Sequence, residues 1–241
     1  MDRQSLSAAS DTVVNGDEAA DVERFAWPTR VVHWTLAVPF LLLLLTGLTN
    51  FWPQLKAVQV ADVRLFAWLH VVLGFGTLAA IAVVILPLLL RRSARADLFE
   101  LLDARRSDYL WARHHALRLV GMASSSPSVG KFNAGQKVNT IISGLATVAL
   151  MGTGIILGIN YVTKDVFSVI FVERIFPWHT LIALLATPVV LGHLYLALIH
   201  PGSRESLRGI TRGVVRRDWA QRHHGGWLRR RGDAGPQSGS R

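Results

Sequence analysis

The sequence predicts an all-α integral membrane protein, a four-helix transmembrane bundle with both termini on the cytoplasmic side. Three observations carry this reading. First, residues 31–55, 65–90, 138–163 and 175–203 contain no Asp, Glu, Lys or Arg. Each stretch is longer than the roughly 20 apolar residues that cross a hydrocarbon core of about 30 Å. Second, 51% of the 241 residues are hydrophobic and only 17% are charged, against roughly 25% in a soluble domain. The four stretches show no polar face, which excludes buried helices of a soluble bundle. Third, the basic residues alternate. Lys and Arg number 3 in residues 1–30, 2 in 52–66, 9 in 91–137, 2 in 161–176 and 10 in 200–241. Loops rich in Lys and Arg stay inside, so both termini and the 91–137 loop are expected in the cytoplasm. The chain is expected to be multi-pass in the membrane that bounds the cytoplasm.

Residues 1–23 are polar and acidic and are expected to be disordered. Residues 24–221 form the membrane domain. The first helix, about 31–51, follows no cleavable signal pattern and reads as an uncleaved anchor. The second helix covers about 67–90, and the polar 91–137 loop follows, with His114 and His115 expected in solvent. The third helix, about 138–160, has no histidine. It is expected to be a packing wall, with Gly154 and Gly158 for close approach. The fourth covers about 177–199. Pro39, Pro87 and Pro188 lie in these spans, where neighbouring groups can satisfy the freed carbonyls. Trp52, Trp68, Tyr161 and Trp178 fall at the outer ends, as an interfacial belt does. Residues 222–241 form a basic cytoplasmic tail. The net charge of +10 is accounted for by the inside rule, so no nucleic-acid partner is expected.

Chemistry concentrates on four histidines in the spans. Ionisable groups inside a membrane are costly and mark function. His33 opens the first helix from the cytoplasmic side; His70 and His179 open the second and fourth from outside. His193 lies 14 residues beyond His179, about 21 Å further along and about 40° round the helix. By depth the histidines form two pairs, His70 with His179 and His33 with His193. Two facing imidazoles can hold a haem iron from both sides. The chain has no cysteine, which excludes disulfides, Cys-ligated iron–sulfur clusters and covalently attached c-type haem. The expected cofactor is therefore haem b, two copies, six-coordinate and suited to electron transfer. Two ligands per depth make a poor zinc site. Gly47, Gly74 and Gly192 support this reading as positions where a flat macrocycle finds room; the plainer reading is close helix packing.

Five pieces then resemble the gamma subunit, a di-haem cytochrome b, of membrane-bound bacterial formate dehydrogenases. They are V-V-H-W around His33, W-L-H-V-V-L-G around His70, K-F-N-A-G-Q-K at 131–137, the His179–His193 spacing, and R-R-D-W-A-Q-R-H-H-G-G-W at 216–227. The resemblance covers about residues 25–227. Histidine spacing alone also fits the cytochrome b subunits of hydrogenases and thiosulfate reductases. A haem-free, histidine-lined transporter is the reading from another class.

The resemblance implies roles residue by residue. His33 and His193 would ligate an inner haem, and His70 and His179 an outer one. A quinone, as substrate, would bind by the inner haem with Asn133, Gly135, Gln136 and His193. The plainer reading of Asn133 is a helix cap with snorkelling lysines. The implied partners are an iron–sulfur beta subunit, a molybdenum or tungsten catalytic alpha subunit, membrane lipid and quinone. No formate-oxidising site is expected on this chain. The arginine-rich stretch 204–231, with Trp219 and Trp227, fits contact with anionic lipid or with a partner.

Overall fold

The computed structural model describes residues 21–122, 129–164 and 166–232. Among them, four helices are long and apolar enough to span a membrane: α1 (Trp27–Phe51), α2 (Leu65–Leu89), α5 (Ala134–Thr163) and α6 (Val169–Ile199). Four shorter helices follow, α3 (Arg92–Leu102), α4 (Arg106–Leu119), α7 (Glu205–Arg212) and α8 (Arg217–Arg231), and a single helical turn, Pro53–Lys56, lies between α1 and α2. The four long helices fit, by length and composition, a multi-pass membrane protein.

Each expected span coincides with a helix, but three helices begin early, α1 already at Trp27 and running through Arg30. α5 starts at Ala134 and α6 at Val169. Hydropathy marks only the apolar part, whereas the backbone ladder continues through Lys137 in one case and Glu173 and Arg174 in the other. Ser168 caps α6, its hydroxyl accepting from the Phe171 N–H at 3.3 Å. Both wide π turns have neighbours that explain them. Ile81–Ile85 precedes Pro87, which has no N–H for the Val83 carbonyl, and Tyr195–Ile199 ends at His200-Pro201.

One unit consists of Trp27–Ala96 and Asn139–Tyr195. Within it α1 packs along α2. A Cβ on Gly158 of α5 would lie 3.2 Å from the Phe75 ring of α2. At most 17% of any apolar window is buried by protein, as lipid-facing spans require. Trp52, Trp68 and Trp178 are exposed. Between α1 and α2, Gln59–Val60 and Val63–Arg64 pair as a small antiparallel ribbon, β2 and β3.

The other unit holds the described parts of Met1–Ala26, Asp97–Val138 and Leu196–Arg241. Strand β1 (Asp21–Glu23) pairs antiparallel with β4 (Val214–Arg216). Val22, Val215, Trp219, Ala220, Trp227 and Leu228 close over one another as its core. Several expectations are corrected here. Asp21–Glu23, expected within a disordered segment, form a strand; residues 1–20 of that segment lie outside the described residues. The polar 91–137 loop contains α3 and α4. Residues 222–231, expected in a basic tail, belong to α8. Trp219 and Trp227 are buried in the unit's own core, so neither is presented to lipid or a partner. Their apolar rings found burial that the flanking arginines concealed.

Candidate functional site

The first unit brings the four histidines together as two pairs. The rings of His33 and His193 stand 6.3 Å apart, centre to centre, inclined at 54°. Those of His70 and His179 stand 6.1 Å apart at 85°. Continuous helix from His179 to His193 separates the pairs by about 21 Å.

This geometry admits an iron. Bonds from imidazole nitrogen to a first-row metal run about 2.0–2.1 Å; two such bonds, with half a ring at each end, span roughly 6 Å. Among the described residues no group of three or more His, Cys, Asp or Glu gathers as a metal site; each pair offers two imidazoles. A Cβ on Gly74 or Gly192 would meet nothing within 4 Å, as at Gly76, Gly144 and Gly152, so neither glycine is taken up by helix packing and neither is set apart from other span glycines. Gly47 differs from expectation. A Cβ there would lie 3.3 Å from His70 Cε1, so this glycine makes way for an imidazole rather than for a macrocycle.

The sequence reading missed two residues. Thr46 Oγ1 lies 3.0 Å from His70 Nδ1, and Thr153 Oγ1 lies 2.8 Å from His179 Nδ1. Thr153 and Gly154 belong to α5, the helix expected to be a mere wall. A Cβ on Gly154 would lie 3.4 Å from His179 Cε1. The signal was present in the sequence as a Thr-Gly dipeptide at 46–47 and again at 153–154. Only the fold shows that each faces a histidine.

The 131–137 segment lies in the second unit. Asn133 and Gln136 form a reciprocal cap on α5. Asn133 Oδ1 accepts from the Gln136 N–H at 2.9 Å, and Gln136 Oε1 accepts from the Asn133 N–H at 3.0 Å. A Cβ on Gly135 would lie 3.3 Å from Asn133 Oδ1 and 3.6 Å from the Trp111 ring. Capping thus accounts for both amide oxygens, and local packing for the glycine.

A buried polar cluster holds this segment. Arg24 donates to the Lys131 carbonyl at 2.9 Å, His224 Nδ1 to the Gly130 carbonyl at 2.8 Å, and the Lys131 ammonium pairs with Asp97. Lys137 bonds the Asp103 carbonyl and the Asp108 carboxylate, both at 2.7 Å. The Arg24 guanidinium lies among the rings of Phe25, Trp219 and Trp227, 5.1 to 5.9 Å from their centres. Its Nε and Nη1 have no hydrogen-bond partner, and the aromatic faces stand in for one. Burial pushes Arg24 down to about 9, against the opposing charge of Asp97. Burial also holds His224 well below the usual histidine range, reinforced by the Arg24 charge and opposed by the Gly130 bond. Of the two loop histidines, His115 stacks on Trp111 at 4.9 Å, and His114 keeps its Nδ1 buried and unbonded.

Comparison with known proteins gives consistent matches. The profile of the family described as prokaryotic cytochrome b561 matches residues 24–213. The formate dehydrogenase cytochrome b556 subunit of Haemophilus influenzae is 30% identical over 217 residues, covering 86% of this chain and 82% of that protein. The formate dehydrogenase cytochrome b556(fdo) subunit of Escherichia coli K12 is 25% identical over 211 residues, 86% and 92% of the two chains. The nitrate-inducible cytochrome b556(Fdn) subunit of the same strain is 27% identical over 205 residues, 83% and 87%.

Proposed function

The chain belongs to the prokaryotic cytochrome b561 family, and within it to the formate dehydrogenase cytochrome b subunits; on that footing we propose that it binds two haems b and passes electrons to membrane quinone. Membership implies haem b and the other subunits of a formate dehydrogenase complex. It sets aside the haem-free transporter, and the relatives' names favour formate dehydrogenase over hydrogenase or thiosulfate reductase. The observation that carries the proposal is the pair of imidazole pairs, 6.1 and 6.3 Å between ring centres.

In this reading His70 and His179 hold one haem, and His33 and His193 the other. Haem held between two histidines supplies one-electron redox chemistry with no open position for a further ligand. The charge asymmetry, 22 Lys and Arg against 4, supports a cytoplasmic location for both termini. In that orientation the His70–His179 pair is the outer one and the His33–His193 pair the inner one. An iron–sulfur beta subunit would deliver electrons from a molybdenum or tungsten alpha subunit to the outer pair. The polypeptide itself has no cysteine for clusters. Asn133, Gly135 and Gln136 are the proposed quinone residues. Since Asn133 Oδ1 is committed to the cap, the group it offers a quinone carbonyl is its side-chain N–H.

The test is purification of the tagged chain from native membranes. Two b haems per chain, reduced by formate and reoxidised by quinone, with formate dehydrogenase subunits co-purifying, are expected. A folded chain without haem, or with haem that formate does not reduce, refutes the proposal. Because the chain lacks cysteine, single Cys substitutions in the 52–66 and 91–137 loops report orientation by labelling from either side; labelling of 91–137 from outside would reverse it.

A further inference from the structure

We infer that Thr46 and Thr153 are positioning residues that fix the tautomer of His70 and His179, so that both rings present Nε2 to one haem iron. The inference rests on the two-haem reading above and concerns what sets the properties of one haem.

The argument begins with where the hydroxyl protons lie. A threonine hydroxyl has one proton to donate and two lone pairs. Thr46 Oγ1 stands 2.8 Å from the Leu42 carbonyl oxygen, and Thr153 Oγ1 stands 2.8 Å from that of Ala149. Two oxygens at that separation repel unless a proton lies between them. The same bond to the carbonyl four residues back recurs at Thr77, Thr147 and Thr187, at 2.7 to 2.8 Å. It is how these helices satisfy hydroxyls in an apolar medium. The proton of Thr46 and of Thr153 is therefore directed at the backbone, and each oxygen can only accept from its histidine. A contact of 2.8 to 3.0 Å between that oxygen and Nδ1 then requires Nδ1–H. In a neutral imidazole the other nitrogen, Nε2, carries the lone pair and becomes the metal ligand.

The arrangement repeats at each histidine of the pair. A Thr-Gly dipeptide of α1 holds His70, and a Thr-Gly dipeptide of α5 holds His179. In each the glycine leaves space for the ring that its threonine orients; a Cβ would lie 3.3 Å from His70 Cε1 and 3.4 Å from His179 Cε1. An acceptor on Nδ1–H fixes ring orientation and raises the basicity of the ligating nitrogen. A more basic ligand favours ferric over ferrous iron and lowers the reduction potential of that haem. The Thr153 contact is the shorter of the two, 2.8 Å against 3.0 Å, so Thr153 gives the cleaner test.

The experiment uses the complex in membranes, with Thr153→Val, Thr153→Ser and Thr46→Val. Val keeps the shape of Thr and removes the acceptor; Ser restores it. Loss of such a partner changes metal-site affinity by about 10- to 100-fold. Borne by the ferric form, each tenfold corresponds to about 59 mV for one electron. Redox titration of T153V should show one haem raised by about that amount, with altered low-spin electron resonance, while the other haem is unchanged. T153S should match wild type, and T46V should shift the same haem by less. Loss of one haem in T153V but not in T153S supports the inference equally, because only the hydroxyl differs. Equal behaviour of T153V and T153S, whether both unchanged or both impaired, overturns it. A wild-type complex without two b haems refutes instead the reading on which the inference rests.

Discussion

Asp97→Asn should loosen the unit that holds the 131–137 segment, by an amount that burial decides. The Lys131–Asp97 pair is nearly enclosed, with side chains 13% and 9% exposed. A pair this deep behaves differently from one in solvent. Removing a single partner strands a buried charge and costs about 3–5 kcal/mol, whereas an exposed pair is worth about 0–1 kcal/mol. Asp97 also faces the buried Arg24 guanidinium, so its neutralisation strands two cations in one aromatic cluster. Lys131→Met is milder, because Asp97 keeps Arg24. Arg222→Gln, which breaks the exposed pair with Asp218, is the control. The assay is hydrogen exchange by mass spectrometry on the intact chain in nanodiscs, following peptides from 97–137 and 216–231. At about 1.4 kcal/mol per tenfold, D97N should raise the opening equilibrium there more than a hundredfold, K131M less, and R222Q by no more than about fivefold. An effect of D97N as small as that of R222Q would show that the pair is solvated and the burial argument wrong.

Further outcomes are expected. His70→Ala and His179→Ala should each remove the same half of the bound haem, and His33→Ala and His193→Ala the other half; loss of one haem by both H70A and H33A would break the pairing. Asn133→Ser keeps an α5 cap but removes the amide donor, so it should slow quinone reduction with the helix intact, whereas Asn133→Ala should also cost about 1 kcal/mol of capping; full quinone turnover in N133S would remove Asn133 from the site. His224 is held neutral by burial, so below about pH 6.5 the unfolded state binds a proton that the folded state refuses. Stability of this unit should therefore be full above that pH and fall as pH drops below it; His224→Gln should flatten the dependence between pH 7.5 and 5.5, and an unchanged slope would show that other groups carry it.

The spans were legible because a bilayer imposes a one-dimensional rule. About 20 uncharged residues make a crossing, and 31–55, 65–90, 138–163 and 175–203 satisfy it without any knowledge of neighbours. The histidine pairs were legible for a related reason. A membrane helix is straight enough that residue number gives depth, so His70 with His179 and His33 with His193 followed from 1.5 Å per residue.

What depth cannot give is rotation about the helix axis and choice of neighbour, and there only the tertiary structure decided. Thr153 and Gly154 sit on a helix without a histidine, and nothing along the chain shows that they face His179. Residue number puts Gly47 at the depth of the outer pair, and only the fold shows that the space it leaves goes to the His70 ring. The second unit was least legible. Its core joins Val22 to Val215 and Trp227, and its buried Arg24 and His224 meet Lys131 and Gly130 from opposite ends of the sequence. No periodicity announces contacts separated by more than ninety residues, and a stretch rich in arginine looks solvated until its tryptophans find a core. Length and apolarity are properties of a segment and can be read from it. Which face a segment turns, and toward what, belongs to the packed assembly of segments.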